Sequence, residues 1–112
     1  MEKIDNNIQR SDIKQIVMSV LTNQNITANK IILFGSRARN DFKKDSDWDL
    51  LLILENETSR EEKIEISYQI RRALAKRHIA SDIIIRSQSE IQKFTKRVNS
   101  VTKTAIEEGV PL

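Results

Sequence analysis

Two short groups of residues carry the chemistry open to this chain: Gly35-Ser36 and, ten residues further on, Asp47-Trp48-Asp49, preceded by Asp45-Ser46. Side chains alternate along an extended backbone, so the carboxylates of Asp47 and Asp49 share one side and Trp48 takes the other. Their backbone separation is roughly 6 to 7 Å. Two unit charges about 6 Å apart repel by about 3 kcal/mol at an effective dielectric of 20, so such a pair beside an apolar strand implies a neutralising cation. Magnesium fits best, because it takes oxygen ligands, keeps several waters and is held by one or two carboxylates plus substrate phosphates. Two such ions roughly 3.5 to 4 Å apart would clamp the attacking and the leaving oxygens of an in-line phosphoryl displacement. Gly35 is one of only two glycines and directly follows Phe34. It marks a special backbone angle or a close approach, and a phosphate is one candidate for what approaches. Taken alone, Asp45-Ser46-Asp47 equally describes an ordinary turn ending at a strand.

These groups need elements to hold them, and the apolar pattern supplies those elements. Lys30 to Phe34 and Trp48 to Leu54 are short Ile- and Leu-rich runs, which suit strands buried on both faces. Before them, Ser11 can cap a helix whose Ile13, Ile16, Val17, Val20 and Leu21 fall on one face; Asn23-Gln24-Asn25 ends it, and Ile26 plugs the connection. Ala38 to Phe42 can form a helical turn after the Gly-Ser. Ser59-Arg60-Glu61-Glu62 has the form of a capping box and launches a long helix towards Arg77. Ile64, Ile66, Tyr68 and Ile70 alternate like a strand, but Ile66, Ile70, Ala73 and Leu74 keep helical spacing, and length and cap decide for helix. A third strand, Asp82 to Ile85, begins on an acid. Ser87-Gln88-Ser89-Glu90 reads as another cap, followed by Ile91, Phe94, Val98, Val101 and Ala105 at near-heptad spacing up to Gly109, as one helix or as two broken at Asn99-Ser100. The expected fold class is α+β: a three-strand mixed sheet with helices packed on it.

The chain of 112 residues has the size and apolar content of a single domain, 1–112. It has no cysteine and a single histidine, which excludes a disulfide framework, a thiol nucleophile and a zinc cage; His78 reads as a surface or packing residue. A net charge of +3 permits an anionic partner without demanding one. No apolar stretch is long enough to cross a bilayer, and Met-Glu-Lys-Ile-Asp-Asn-Asn lacks the apolar core of a signal peptide, so the expected location is cytoplasmic.

A strand, Gly-Ser, a ten-residue spacer and Asp-apolar-Asp opening a second strand together resemble the nucleotidyltransferase superfamily of DNA polymerase β. Gly35-Ser36-Arg37-Ala38-Arg39 followed by Asp45-Ser46-Asp47-Trp48-Asp49-Leu50 is similar to its minimal nucleotidyltransferase branch, small prokaryotic proteins often encoded beside a HEPN-domain partner. Asn40 stands where that branch usually has glycine; asparagine tolerates left-handed angles, so the turn should survive. The ending Ala105 to Val110 also resembles the branch, so the likeness covers nearly the whole chain.

The resemblance implies Mg²⁺-dependent transfer of AMP from ATP to a hydroxyl, with pyrophosphate leaving. Gly35 and Ser36 would hold the β and γ phosphates, and Asp47 and Asp49 the metal. Asp82, the acid on the following strand, would join them as a ligand or as the base for the attacking hydroxyl. Arg37 and Arg39, with Lys43 and Lys44 as weaker candidates, could contact phosphate or brace the loop against Asp41 or Asp45. The implied partner is a HEPN-domain toxin in a hetero-oligomer, silenced by AMP addition to a tyrosine, which makes this chain an antitoxin. Alternatives are a non-catalytic antitoxin acting by binding alone, and an enzyme acting on RNA or a small molecule with a separate subunit. Direct nucleic-acid binding stays open. Arg71, Arg72 and Arg77 on the long helix, with Lys93, Lys96, Arg97 and Lys103 further on, could steer an acidic partner or simply solvate their helices.

Overall fold

The computed structural model describes residues 8–95 and 100–112. The elements run α1 (Arg10–Asn23), β1 (Ala28–Phe34), α2 (Ser36–Arg39), β2 (Trp48–Leu54), α3 (Arg60–Ala75), β3 (Ser81–Ser87), α4 (Gln88–Thr95), α5 (Val101–Glu108) and β4 (Val110–Pro111). They build an α+β fold around a four-stranded sheet in the order β3-β2-β1-β4. β1 runs antiparallel to both β2 and β4, and β2 pairs with β3 in parallel through α3.

The short β4 corrects the expected three strands. Val110 and Pro111 lie opposite Leu33 and Ile32, and the Leu112 amide donates to the Ile31 carbonyl at 2.9 Å. A two-residue segment with one proline carries no strand signal, but proline is tolerated at a sheet edge. Gly109 makes the turn possible by close approach: a Cβ there would run into the Ala105 carbonyl and the Ile32 side chain.

Alternation along the strands divides the core into two layers. On one face, Ile31, Leu33, Leu50, Leu52, Leu54, Ile83 and Ile85 meet Ile13, Val17 and Leu21 of α1 and Ile66, Ile70 and Leu74 of α3. Both helices present residues at i, i+4 and i+8, a narrow stripe that lies flat on the sheet. On the other face, Ile32, Leu51 and Ile53 pack on Ala105, with Phe34, Ile84, Ile91 and Ile106 around them. The second layer is thinner, and it covers the sheet only in part.

Helix ends differ from expectation in instructive ways. α1 starts at Arg10, not after Ser11: the Asp12 carboxylate accepts from the Gln9 amide at 2.9 Å, so Gln9 is the cap and Ser11 lies in the first turn. Ser59 and Glu62 do form the expected capping box, and α3 stops two residues short of Arg77. Ser100 starts α5, its hydroxyl accepting from the Lys103 amide at 2.9 Å. The near-heptad reading fails there, because Val101 is 60% exposed while Thr102 and Ala105 are buried. α5 packs on β1 as well as on α4, so its buried stripe is not a coiled-coil seam. Val98, Asn99 and the Phe94 side chain lie outside the described residues.

Candidate active site

β1 ends at Phe34, and Gly35 turns the chain with φ +76 and ψ −159, a backbone region open essentially to glycine alone. The reason for the turn is visible beside it. Antiparallel pairing sets Phe34 opposite Asp49, and a Cβ on Gly35 would overlap the Asp49 carboxylate. The close approach expected at Gly35 is therefore made by Asp49. α2 follows at once, with the Ala38 and Arg39 amides returning to the Gly35 carbonyl at 3.1 and 3.2 Å. It begins at Ser36 and ends at Arg39, two to three residues earlier than expected, and Asn40 closes it in the left-handed region at φ +63. A four-residue turn of this kind leaves the first amides, Ser36 and Arg37, ahead of its first internal bonds.

The acids come together through the sheet. Asp49 shares the face of Leu51 and Ile53, opposite Trp48, the parallel register sets Asp82 directly beside it, and Asp47 stands just before the strand. Asp47 and Asp82 are exposed, whereas Asp49 is half-buried. Burial raises the Asp49 carboxyl above the ordinary carboxylate range; the charges of Asp82 and then Asp47 raise it further, and Arg39 partly opposes them. Sequence reasoning put the Asp47–Asp49 repulsion first, but desolvation dominates here because Asp47 lies in water, which screens its charge. Among the described residues no three acids or histidines are gathered closely enough to cage a metal. What they present is an open, oxygen-only donor set around a carboxylate already strained by its neighbours. Such a set suits a hard divalent cation that keeps waters or takes further oxygens from a bound phosphate.

The arginines divide. Arg37 is turned into the protein, its guanidinium 4.3 Å from the centre of the Phe42 ring and 4.6 Å from that of Trp48. It donates through Nε and Nη2 to the Ser46 carbonyl at 3.2 and 2.9 Å, and through Nη2 to the Lys44 carbonyl at 3.1 Å. This is a brace for the loop that leads into β2, its hydrogen bonds made to carbonyls while the charge of Asp45 also acts on the guanidinium. Ser46 tightens the same loop by accepting from the Lys43 amide at 2.8 Å. Arg39 stays on the surface, paired with Asp41 at 3.1 Å, and its charge is felt at Asp49. Sequence reasoning missed Phe42 and Trp48 as partners of Arg37; an arginine just after Gly-Ser with aromatics on both sides of the acidic loop was the signal. His78 is exposed in the middle of the α3–β3 connection, in the left-handed region at φ +61. A cleft of about 840 Å³ lies beside the loop, lined by Arg37, Phe42, Lys43, Lys44, Trp48 and His78 among others. None of the three acids lines it, so this hollow and the acidic centre are different places.

Residues 9–109 match the family Polymerase beta, Nucleotidyltransferase. The chain belongs to the polymerase β nucleotidyltransferase family. Among solved structures, it is similar to one described as "Crystal structure of the toxin-antitoxin with AMP-PNP", at 12% identity and a TM-score of 0.60 over 88% of this chain and 70% of that one. It is also similar to a putative nucleotidyltransferase from Sulfolobus solfataricus, at 23% identity and a TM-score of 0.55 over 88% of this chain and 73% of that one. At these identities the likeness establishes the nucleotidyltransferase fold. Among curated proteins no sequence matches. No helix among the described residues of this nucleotidyltransferase is long and apolar enough to cross a membrane.

Proposed function

We propose that this nucleotidyltransferase moves AMP from ATP to a hydroxyl of a partner protein, with Mg²⁺, and thereby acts as the antitoxin of a HEPN-type toxin. The observation that carries the chemistry is Asp82 set beside Asp49 by the parallel register, with the charge of Asp47 felt at Asp49 and the Gly35 turn lying against the Asp49 carboxylate. Asp47 and Asp49 would hold Mg²⁺, with Asp82 as a further oxygen ligand. When bound, the metal supplies positive charge against the triphosphate and the developing charge of the transition state. The Ser36 hydroxyl and the leading amides of α2 offer donors to the β and γ phosphates, with Arg39 at the rim. Arg37 keeps the loop from Lys43 to Ser46 in shape and so fixes where Asp47 begins.

In the transfer, the acceptor oxygen forms a bond to the α-phosphorus as the α–β bridging P–O bond breaks and pyrophosphate departs. Asp82 would take the acceptor's proton or orient its hydroxyl. The family membership supports transfer of a nucleotidyl group, and the toxin–antitoxin neighbour supports a toxin as the acceptor. A tyrosine of that toxin is the acceptor hydroxyl we assign, and cytoplasm the location.

Co-expression with the neighbouring gene product tests the proposal. The expected result is co-purification and a mass increase of one or more AMP units on the partner with wild type, and none with Asp47→Asn. A variant that still silences the toxin, together with no adduct from wild type, would establish neutralisation by contact alone. Label transferred from ATP to RNA or a small molecule, with no protein adduct, would replace the acceptor.

A further inference from the structure

The sheet has an unclosed side. β3 is its edge strand, and among the described residues no strand pairs with its outer side. About half of an edge strand's backbone N–H and C=O groups point outward, a ready template for another extended chain. Proteins commonly blunt such an edge, and here α3 lines it instead. Arg60, Ile64, Ser67 and Arg71 fall at i, i+4, i+7 and i+11, one stripe of α3 distinct from the Ile66-Ile70-Leu74 stripe buried on the sheet. With Ile83, Ile84 and Ile85 they border a groove of about 340 Å³. Ile64 is 59% exposed within it, and Tyr68 one turn further along α3 is 48% exposed.

The charge of this groove is one-sided. Arg60, Lys63, Arg71 and Arg86 line it, with no acid among its lining residues. Lys63 is already engaged by Glu90 in an ion pair. Arg60 and Arg71, exposed at its rim, leave a net positive field over an isoleucine floor. The direction of β3 adds the functional link: the strand leads back from Ile85 to Asp82, three residues or roughly 10 Å.

We infer that the β3 edge, with the Arg60–Ile64–Arg71 stripe of α3, is the docking groove for an extended acidic segment of the partner protein, which adds as a fifth strand and leads towards Asp82. Backbone pairing supplies affinity without regard to sequence, apolar side chains of the segment rest against Ile84 on one face of the sheet, and its acids meet Arg60 and Arg71 of α3 on the other. A second copy of this chain is disfavoured, because two such edges would bring arginine rims together. Single-stranded RNA is less suited, since the floor is isoleucine and no aromatic side chain lines it for stacking. The inference rests on the proposed protein acceptor, but it is tested by binding alone.

The probe is an eight-residue peptide of alternating Glu and Val ending in Tyr, compared with its Lys-for-Glu counterpart and with an oligouridylate of similar length, without ATP or metal. Amide NMR should show the acidic peptide shifting and protecting amides in 83–85, with the basic peptide at least about tenfold weaker. Arg60→Glu with Arg71→Glu, both exposed, should weaken the acidic peptide at least about tenfold and favour the basic one, whereas Lys14→Glu on α1 should leave binding unchanged. No binding by about 1 mM, equal binding of both peptides, shifts centred elsewhere, or preference for the oligouridylate overturns the inference. So does dimerisation of the free chain through 83–85. Loss of AMP transfer in Asp47→Asn leaves this test intact, because peptide docking is read on a protein that performs no chemistry.

Discussion

Two half-buried carboxylates sit at opposite ends of the same parallel strand pair, and they have opposite fates. At one end, three partners converge on the Oε1 of Glu90: the Ser87 amide donates to it at 2.9 Å, the Ser87 hydroxyl at 3.1 Å, and Lys63 forms an ion pair. Burial works against its charge, yet these donors together hold its carboxyl below the ordinary range. At the other end, Asp49 meets burial and the charges of Asp82 and Asp47, with only the distant relief of Arg39, and is pushed upward. The fold thus shows that it can satisfy a buried acid with local donors. Leaving Asp49 among like charges, against a glycine kept free of a side chain, agrees with the metal and phosphate roles proposed for this site.

The largest break in this contrast comes from neutralising the strained end. Asp47→Asn with Asp49→Asn should lower nucleotidyl transfer by about a thousandfold or more while the melting temperature holds or rises, since the charge removed is one the apo fold does not satisfy. Retained transfer in the double variant would remove these acids from the mechanism.

Gly35 comes next. Gly35→Val forces a β-branched residue into φ +76 and against Asp49, so a strain of about 1–3 kcal/mol and the clash should both appear as a lower melting temperature with transfer down at least about a hundredfold. Ser36→Ala removes one hydroxyl and should cost about three- to tenfold in transfer, equivalent to one modest hydrogen bond. Equal, mild effects from the two would mean that Gly35 does not shape the site.

The satisfied end should show the reverse pattern. Glu90→Gln should lower stability to urea by about 1 kcal/mol, discounted for partial exposure, and leave transfer within about twofold. A catalytic defect in that variant would dissolve the distinction between the two acids.

The smallest effect is in pH. Asp49 has a raised carboxyl in the fold, so the native state favours its protonated form, and stability from this group is present at low pH and falls as pH rises above the ordinary carboxylate value through the raised one. Glu90 is depressed, so its contribution is present above the ordinary value and lost as pH falls through the lowered one. Melting curves against pH should lose the first trend in Asp49→Asn and the second in Glu90→Gln. Added Mg²⁺ with ATP should raise the wild-type melting temperature more than either alone, and Asp49→Asn should lack that gain.

Local signals decided a good part of this molecule from sequence. The second strand was legible to the residue, because Leu50 to Leu54 is an unbroken apolar run entered through Trp48-Asp49, and alternation alone puts Asp49 on the side opposite Trp48. The Ser59–Glu62 box and the left-handed turn at Asn40 were equally legible, since capping and φ preferences act within four residues. Only the tertiary structure put Asp82 beside Asp49, because a parallel register across a whole helix depends on how α3 packs. It alone also decided that burial outweighs like charge at Asp49, that Arg37 lies against both Phe42 and Trp48, and that Val110-Pro111 pairs along one edge of the sheet while, among the described residues, β3 leaves the other open. The near-heptad run misled for the same reason. A stripe of apolar residues says that a helix has a side to bury, but which residues are buried is set by the partner it meets, and α5 meets a sheet.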